Sequence, residues 1–371
     1  MLTPPGRGAV AVVHVEGARA INLVELFFRP ARAKPLRERR FGDIVYGRWG
    51  ETTTEDVIVS CRSDRNVEVH CHGGSAAVRR IVDDLTLAGA VEESWRDWTT
   101  RQEPNAIRQA ARVALAAALT ERAAMILLDQ YHGALETALR QIIQCLTDSK
   151  MGRVEELIGK LLHRAPLGAH LTQPWRVVIV GPPNVGKSSL INAILGYERA
   201  IVFDQPGTTR DVVTAATALD GWPVELSDTA GLSAADDPLE AAGIERATAQ
   251  ADAADCLLLV FDASQPWTRE HEQLIERWPS AIVVHNKLDL IDAAFDRQGL
   301  YCSAKTGTGV EVLACAITSR LIPCPPLPGE PAPFTAEQVE SLNATAVALR
   351  DGNIEAAHSN LLSMLAGRCG K

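Results

Sequence analysis

The chain has 371 residues, 46% of them hydrophobic and 22% charged, the proportions of a folded protein with room for two or three domains. A formal net charge of −9 argues against wholesale nucleic-acid binding and leaves only local basic patches to consider. Eight scattered cysteines with no CxxC pair exclude a disulfide scaffold and read as reduced thiols, and no uncharged apolar run is long enough to span a bilayer.

The opening MLTPPGRG has no apolar leader-like core, so a cytoplasmic chain without membrane attachment is expected. GAVAVVHV (8–15) reads as a strand and ARAINLVELFF as a helix. Residues 29–40, RPARAKPLRERR, carry six basic side chains and one acidic. This run reads first as a solvated loop with two prolines, and it is also the best local candidate for contact with a nucleic-acid backbone. DVIVSC and VEVHC are strand-like, and SAAVRRIVDDLTLAGA is a helix ending at Gly89. His70, Cys71 and His72 alternate faces on such a strand, which argues against convergence on one metal ion.

From 105 to about 150 the Ala- and Leu-rich pattern is helical, with a break at Gly133, and RVEELIGKLLHR is a further helix. Pro166 and Pro174 bracket a linker in this reading. From Trp175 to about Ile322 strands and helices alternate, which predicts a doubly wound, mostly parallel sheet. PCPPLPGEPAP (323–333) reads as a stiff spacer. Thr335 with Gln338 forms a capping box that opens a helical pair divided at Gly352. The expected domains are an N-terminal α+β domain (1–100), a first helical part (101–170), an α/β domain (171–322), and the Pro-rich linker with a second helical part (323–371).

GPPNVGKSS (181–189) follows a strand and precedes a helix, the context a P-loop requires. Gly181 and Gly186 allow backbone amides, with those of Asn184, Val185 and Ser189, to turn toward phosphate oxygens. Lys187 adds charge at the outer phosphates, and Ser188 can ligate Mg2+. NKLD (286–289) follows a later strand. The two acceptors of the Asp289 carboxylate match the two neighbouring donors on the guanine edge and repel adenine, which selects GTP. Asn286 can tie neighbouring loops together, Lys287 can cover the base, and Ser303, Ala304 and Lys305 form the accompanying SAK loop. In DTAG, Asp228 can reach Mg2+ through water, the Gly231 amide can sense the γ-phosphate, and Thr229 and Ala230 complete the turn. Thr209, in PGTTRD, can complete the Mg2+ shell. Leu232 stands where many GTPases place a glutamine that orients the attacking water.

Together TPPGRG, VEVHCHGG, the P-loop, IVFDQPGTTRD, DTAGL, GIERA and a terminal GK resemble the tRNA-modification GTPase MnmE family, also called TrmE. The match is dense across 171–322, fair over the first 90 residues and weak in the helical parts. The resemblance implies a P-loop GTPase domain inserted in a helical domain, with an N-terminal domain that binds folate and dimerises. It implies a K+ activator ligated by Asn184 and by Phe203, Gln205 and Thr208, within the loop that also includes Asp204, Pro206 and Gly207. It implies that Glu240, twelve residues beyond Asp228, orients the attacking water through a second water. On that reading Asn184, Lys187, Thr209 and Glu240 carry catalysis, with K+ neutralising transition-state charge.

The resemblance further implies a homodimer, a flavoprotein partner (MnmG), tRNA with its wobble uridine as substrate, and a tetrahydrofolate derivative as one-carbon donor. For the folate, Glu68 and Lys371 match family positions, while His14 stands in place of a first-strand arginine. WRDWTTRQEPNAIRQ replaces the basic motif that follows the N-terminal domain in the family. Two alternatives stay open beside this reading: a diverged RNA- or ribosome-associated GTPase, and a slow GTP-dependent switch without modification activity.

Overall fold

Alternating apolar residues build the first sheet of the computed structural model, which describes residues 8–32, 34–51, 54–197, 214–228, 248–291 and 297–366. The chain forms two units, Met1–Glu103 and Pro104–Lys371. In the first unit, strands β1 (Val10–Glu16), β2 (Phe28–Pro30), β3 (Ile44–Trp49), β4 (Glu55–Cys61) and β5 (Asn66–His72) lie antiparallel in the order β1-β5-β4-β3-β2. Ala11, Val13 and Val15 of β1 and Val67, Val69 and Cys71 of β5 share one core with Val24 of helix α1 (Ala20–Phe27) and with Ile81 and Leu85 of α2 (Ser75–Leu87). The alternate residues His14, Glu68 and His70 fall on the opposite face. Ser94 caps α3 (Trp95–Gln102) by accepting from the Asp97 amide at 3.1 Å. Arg101 of α3 holds both carboxylate oxygens of Glu16 at 3.0 Å and pulls that carboxyl down to about 2.

The second unit opens with helices α4 (Ala106–Leu115), α5 (Glu121–Tyr131), α6 (Ala134–Thr147) and α7 (Met151–Ala169). Asn105 and Thr120 cap α4 and α5 with their side-chain oxygens. Gly133, at φ 103°, makes the left-handed break before α6 that few other residues allow. A six-stranded sheet follows: β6 (Trp175–Val180), β7 (Thr214–Leu219), β8 (Trp222–Asp228), β9 (Cys256–Asp262), β10 (Ile282–Asn286) and β11 (Leu300–Tyr301). Its order is β11-β10-β9-β6-β8-β7, and every pairing is parallel except β7 with β8. Helices α8 (Lys187–Tyr197), α9 (Arg269–Arg277) and α10 (Val310–Leu321) lie between and after these strands.

The capping box of Thr335 and Gln338 opens α11 (Ala336–Arg350), and Gly352 separates it from α12 (Ile354–Ala366). Leu342 of α11 and Leu361 of α12 join Leu139 of α6 and Ile158 of α7 in one core. The chain therefore leaves the helical bundle, builds an α/β domain and returns: an α/β domain inserted in a helical one.

Strands β2 and β3 and helix α3 are absent from the sequence reading, and the structure departs from it at other places as well. Pro166 lies inside α7 and opens no linker. The helix runs past it because Leu167 and Leu171 are buried and Gly168 lies so close to the Pro333 carbonyl that no Cβ would fit, so packing outweighs the lost amide donor. The Pro-rich stretch after α10 is docked and does not act as a spacer. Fully buried Gln130 donates to the Glu330 carbonyl (3.1 Å) and accepts from the Ala332 amide (3.2 Å), while Arg164 pairs with Glu330 at 2.6 Å. The strand β7, rich in Ala and Thr, is absent from the sequence reading. It is held at its turn by Arg122 of α5, which donates to the Asp220 carbonyl at 2.8 Å and stacks over Trp222 at 4.5 Å.

Candidate nucleotide-binding site

The site lies at the carboxyl ends of β6, β8, β9 and β10, the place where open α/β sheets take ligands. Central strand β6 delivers the chain to Gly181, where a Cβ would collide with the Val260 carbonyl of neighbouring β9. Gly186 adopts φ 92°, and a Cβ there would stand 2.5 Å from Asn286 Nδ2. Glycine is required at both positions by space as well as by backbone conformation. Asn184 takes the left-handed conformation at φ 61°. This turn places Val185 in the core and starts α8 at Lys187, the loop-to-helix arrangement in which backbone amides and a helix N-terminus can hold phosphate.

Lys187 is buried and donates to the carbonyls of Gly181 (2.9 Å) and Pro182 (3.0 Å). Burial lowers its pKa from the ordinary lysine value, and Asp228 opposes that shift. Ser188 Oγ donates to Asp228 Oδ2 at 2.6 Å. The hydroxyl and the buried carboxylate thus converge, a donor set of the hard oxygen type that suits Mg2+. Ser189, one residue on, is exposed.

Asn286 is the hub of the second half. Its Nδ2 donates to the Val185 carbonyl of the P-loop at 2.9 Å, and its Oδ1 accepts from the Ala304 amide at 3.0 Å. One buried amide therefore ties the P-loop to the SAK loop. Lys287, at φ 65°, donates from Nζ to the Asn184 carbonyl and to Asp262 Oδ2, both at 2.7 Å. Asp289 accepts from Ser303 Oγ at 2.5 Å, and Lys305 Nζ lies 3.9 Å from its other oxygen. The carboxylate is thereby held in place before any base meets it.

Asp262 escapes a sequence reading. Burial acts to raise its pKa, but hydrogen bonds from Lys287 and Ser264 win and hold it below the usual carboxylate range. Its signal is faint: an aspartate closing the apolar strand CLLLVFD. Cys302, beside Asn286 Oδ1, is pushed up to about 12 by burial, so a thiolate plays no part at neutral pH.

Thr209, the loop with Phe203, Asp204, Gln205, Pro206, Gly207 and Thr208, the residues Thr229, Ala230, Gly231 and Leu232, Glu240, and Lys371 lie outside the described residues. Glu68, in the first unit, accepts at Oε2 from Arg62 (2.9 Å), with His70 at 3.4 Å, and its pKa is lowered chiefly by Arg62. In the same cross-strand row, His14 Nδ1 and Ser60 Oγ are buried with no partner among the described residues.

Fully buried His285 precedes Asn286, rests on Tyr301 and offers Nε2 to the Gln298 carbonyl at 3.2 Å, while its Nδ1 has no partner among the described residues. Burial lowers its pKa, so the unfolded chain binds the proton more readily than the folded one. Its contribution is complete above the unfolded value of about 6.5 and is lost as pH falls below it. The urea midpoint is expected to drop between pH 7.5 and 5.5, with a slope from this residue of at most about 1.4 kcal/mol per pH unit. A His285→Leu variant should show a flatter profile.

A glycine-shaped P-loop, a serine–aspartate metal pair and a carboxylate poised after β10, all on one doubly wound sheet, define a P-loop GTPase. Residues 176–287 match the family model described as 50S ribosome-binding GTPase, and residues 1–125 match that described as GTP-binding protein TrmE N-terminus. The tRNA modification GTPase MnmE of Chloroflexus aurantiacus is 34% identical over 364 residues, covering 86% of this chain and 80% of the relative. The protein of the same name from Thermus thermophilus is 33% identical, covering 86% and 81%. Among solved structures, the G domain of the T. maritima FeoB iron transporter is 26% identical over 40% of this chain and 99% of that one, with a TM-score of 0.30, too low to add to the assignment. The chain belongs to the MnmE (TrmE) family of tRNA modification GTPases.

Proposed function

We propose that this GTPase hydrolyses GTP with the help of K+ and couples hydrolysis to modification of the wobble uridine of tRNA. The observation that carries the reading is the Asn286 hub, which joins the P-loop to the guanine-reading loops in a chain alignable over four fifths of relatives named for tRNA modification. Lys187 and the loop amides hold the phosphates, Ser188 and Asp228 hold Mg2+, and Asp289 reads guanine.

Leu232 cannot orient water. K+ on Asn184 and the 203–208 loop, with Glu240, would supply what a glutamine and an arginine supply elsewhere. Asn184 supports this: its side chain is exposed and makes no hydrogen bond among the described residues, so its amide oxygen is available to a cation. The protein would act as a cytoplasmic homodimer with a flavoprotein partner of the MnmG type. No described helix is long and apolar enough to cross a membrane.

The orphaned atoms of His14 and Ser60 beside Glu68 fit a ring that carries both donors and acceptors. A tetrahydrofolate derivative would be held there by Glu68 and would supply a one-carbon unit. His14, its pKa lowered by burial, is neutral at pH 7 and gives an anionic tail no counter-charge where the family has arginine.

Replacing K+ by Na+ at constant ionic strength is expected to lower kcat for GTP hydrolysis about a hundredfold, the scale of removing one transition-state charge stabiliser. Glu240→Ala should lower it comparably in K+. Equal rates in the two salts would remove the cation from the mechanism.

A further inference from the structure

We infer that Arg32, Lys34 and the turn 35–43 of the first unit form a preformed contact surface for the RNA phosphate backbone, the point at which tRNA engages this chain. The inference rests on the tRNA reading above and assigns the substrate a place.

The basic side chains in this stretch fall into two groups. Some hold the loop itself. Arg37 pairs with Glu25 at 2.5 Å, and Glu25 also accepts the Leu36 amide at 2.8 Å. Arg39 donates to the carbonyls of Arg32 (3.2 Å) and Lys34 (3.0 Å), which draws both carbonyls inward. Asp43 accepts the Arg40 amide at 3.2 Å, and the Gly42 amide reaches the Cys61 carbonyl at 2.8 Å, which pins the turn to β4. The second group is unspent. Arg32, Lys34 and Arg40 are exposed and make no ion pair among the described residues, and Arg39 is neutralised by no carboxylate.

The loop therefore points its carbonyls at its own arginine and its unpaired cations outward, on a chain whose net charge is −9. Charges fixed in advance cost little ordering entropy on binding. A recess of about 420 Å3, lined in part by Arg29, Lys34, Pro35 and Arg37, adjoins them. Phe41, next to Arg40, is 62% exposed. A large exposed aromatic beside cations suits an unstacked base, whereas an acidic protein segment has no use for it.

The test uses the full chain and an unmodified tRNA transcript, with binding followed by fluorescence anisotropy across a salt series. Substituting Arg32, Lys34 and Arg40 together by alanine is expected to weaken binding about tenfold or more near 0.1 M salt. It should also reduce the slope of log Kd against log salt by about 2, the release expected for three contacts on single-stranded RNA. Replacing the two arginines by lysine while keeping Lys34 should retain most of the slope, and Phe41→Ala should weaken binding roughly tenfold at unchanged slope. Basal GTP hydrolysis should match the parent in every variant, and an unchanged circular-dichroism spectrum and urea unfolding profile should show that the first unit, which holds the substitutions, is folded.

A parent that binds tRNA alongside a triple variant that binds as tightly overturns the inference and leaves the tRNA reading intact. A parent that binds no tRNA overturns both. Polyglutamate binding as tightly as tRNA and displacing it would overturn the inference in favour of an acidic protein partner.

Discussion

Lys187→Ala is expected to lower kcat/KM for GTP by about three orders of magnitude, the upper range for losing one preorganised donor at a site of developing charge. Lys187 Nζ already lies across the mouth of the loop, bonded to the Gly181 and Pro182 carbonyls, so the charge is positioned before phosphates arrive. Its lowered pKa records a burial cost that the nearby Asp228 carboxylate only partly offsets, and a triphosphate would offset the rest. Methionine would fill the same volume without the charge, so Lys187→Met separates packing from electrostatics. Both variants should keep the parent unfolding free energy to within about 1 kcal/mol while losing turnover. A variant that keeps half the parent rate would remove Lys187 from the phosphate site.

Asp289→Asn should change which base the protein accepts. The carboxylate presents two acceptors to guanine; asparagine presents one acceptor and one donor, so one base donor meets a donor. GTP affinity is expected to fall about 10²- to 10³-fold, since a buried polar edge left unpaired discriminates strongly. Xanthosine triphosphate carries a carbonyl where guanine carries its amino group, and it should recover most of that loss. The neighbouring partners allow the swap: Ser303 Oγ can still donate to the asparagine carbonyl oxygen. Competition assays with the two triphosphates read the reversal directly. Unchanged preference would mean that the base is read elsewhere.

What the sequence disclosed and what it withheld follow from how far each contact reaches along the chain. The P-loop was legible because its chemistry is local: glycines, lysine and serine at fixed spacing between a strand and a helix. NKLD was legible through its distance from that loop and the following SAK. The geometry that joins them was not, because the Asn286–Val185 bond spans about a hundred residues and is one asparagine among several. Pro166 misled because local propensity ends a helix there, whereas the docked segment around Pro333 keeps this one going.

The same physics hid the docked Pro-rich stretch. Its composition describes a stiff extended chain, and only the fully buried Gln130, two hundred residues away, shows what it docks against. The strand β7 escaped because alternating Ala and Thr carries little hydrophobic signal, and its place depends on pairing with β8 and on Arg122. In the first unit β1, β4 and β5 followed from alternation while the short β2 and the Gly-interrupted β3 did not, and the grip of α3 on Glu16 joins segments about 85 residues apart. The 29–40 run was visible as charge alone. Which cations brace the loop and which remain unpaired is a property of the folded turn.

Nucleoside analysis of tRNA from cells lacking the protein tests the proposed role in wobble-uridine modification most directly. Loss of the modified wobble uridine, restored by the parent chain and not by Lys187→Ala, is the predicted result. A normal modified-uridine content in the deletion strain would contradict that role.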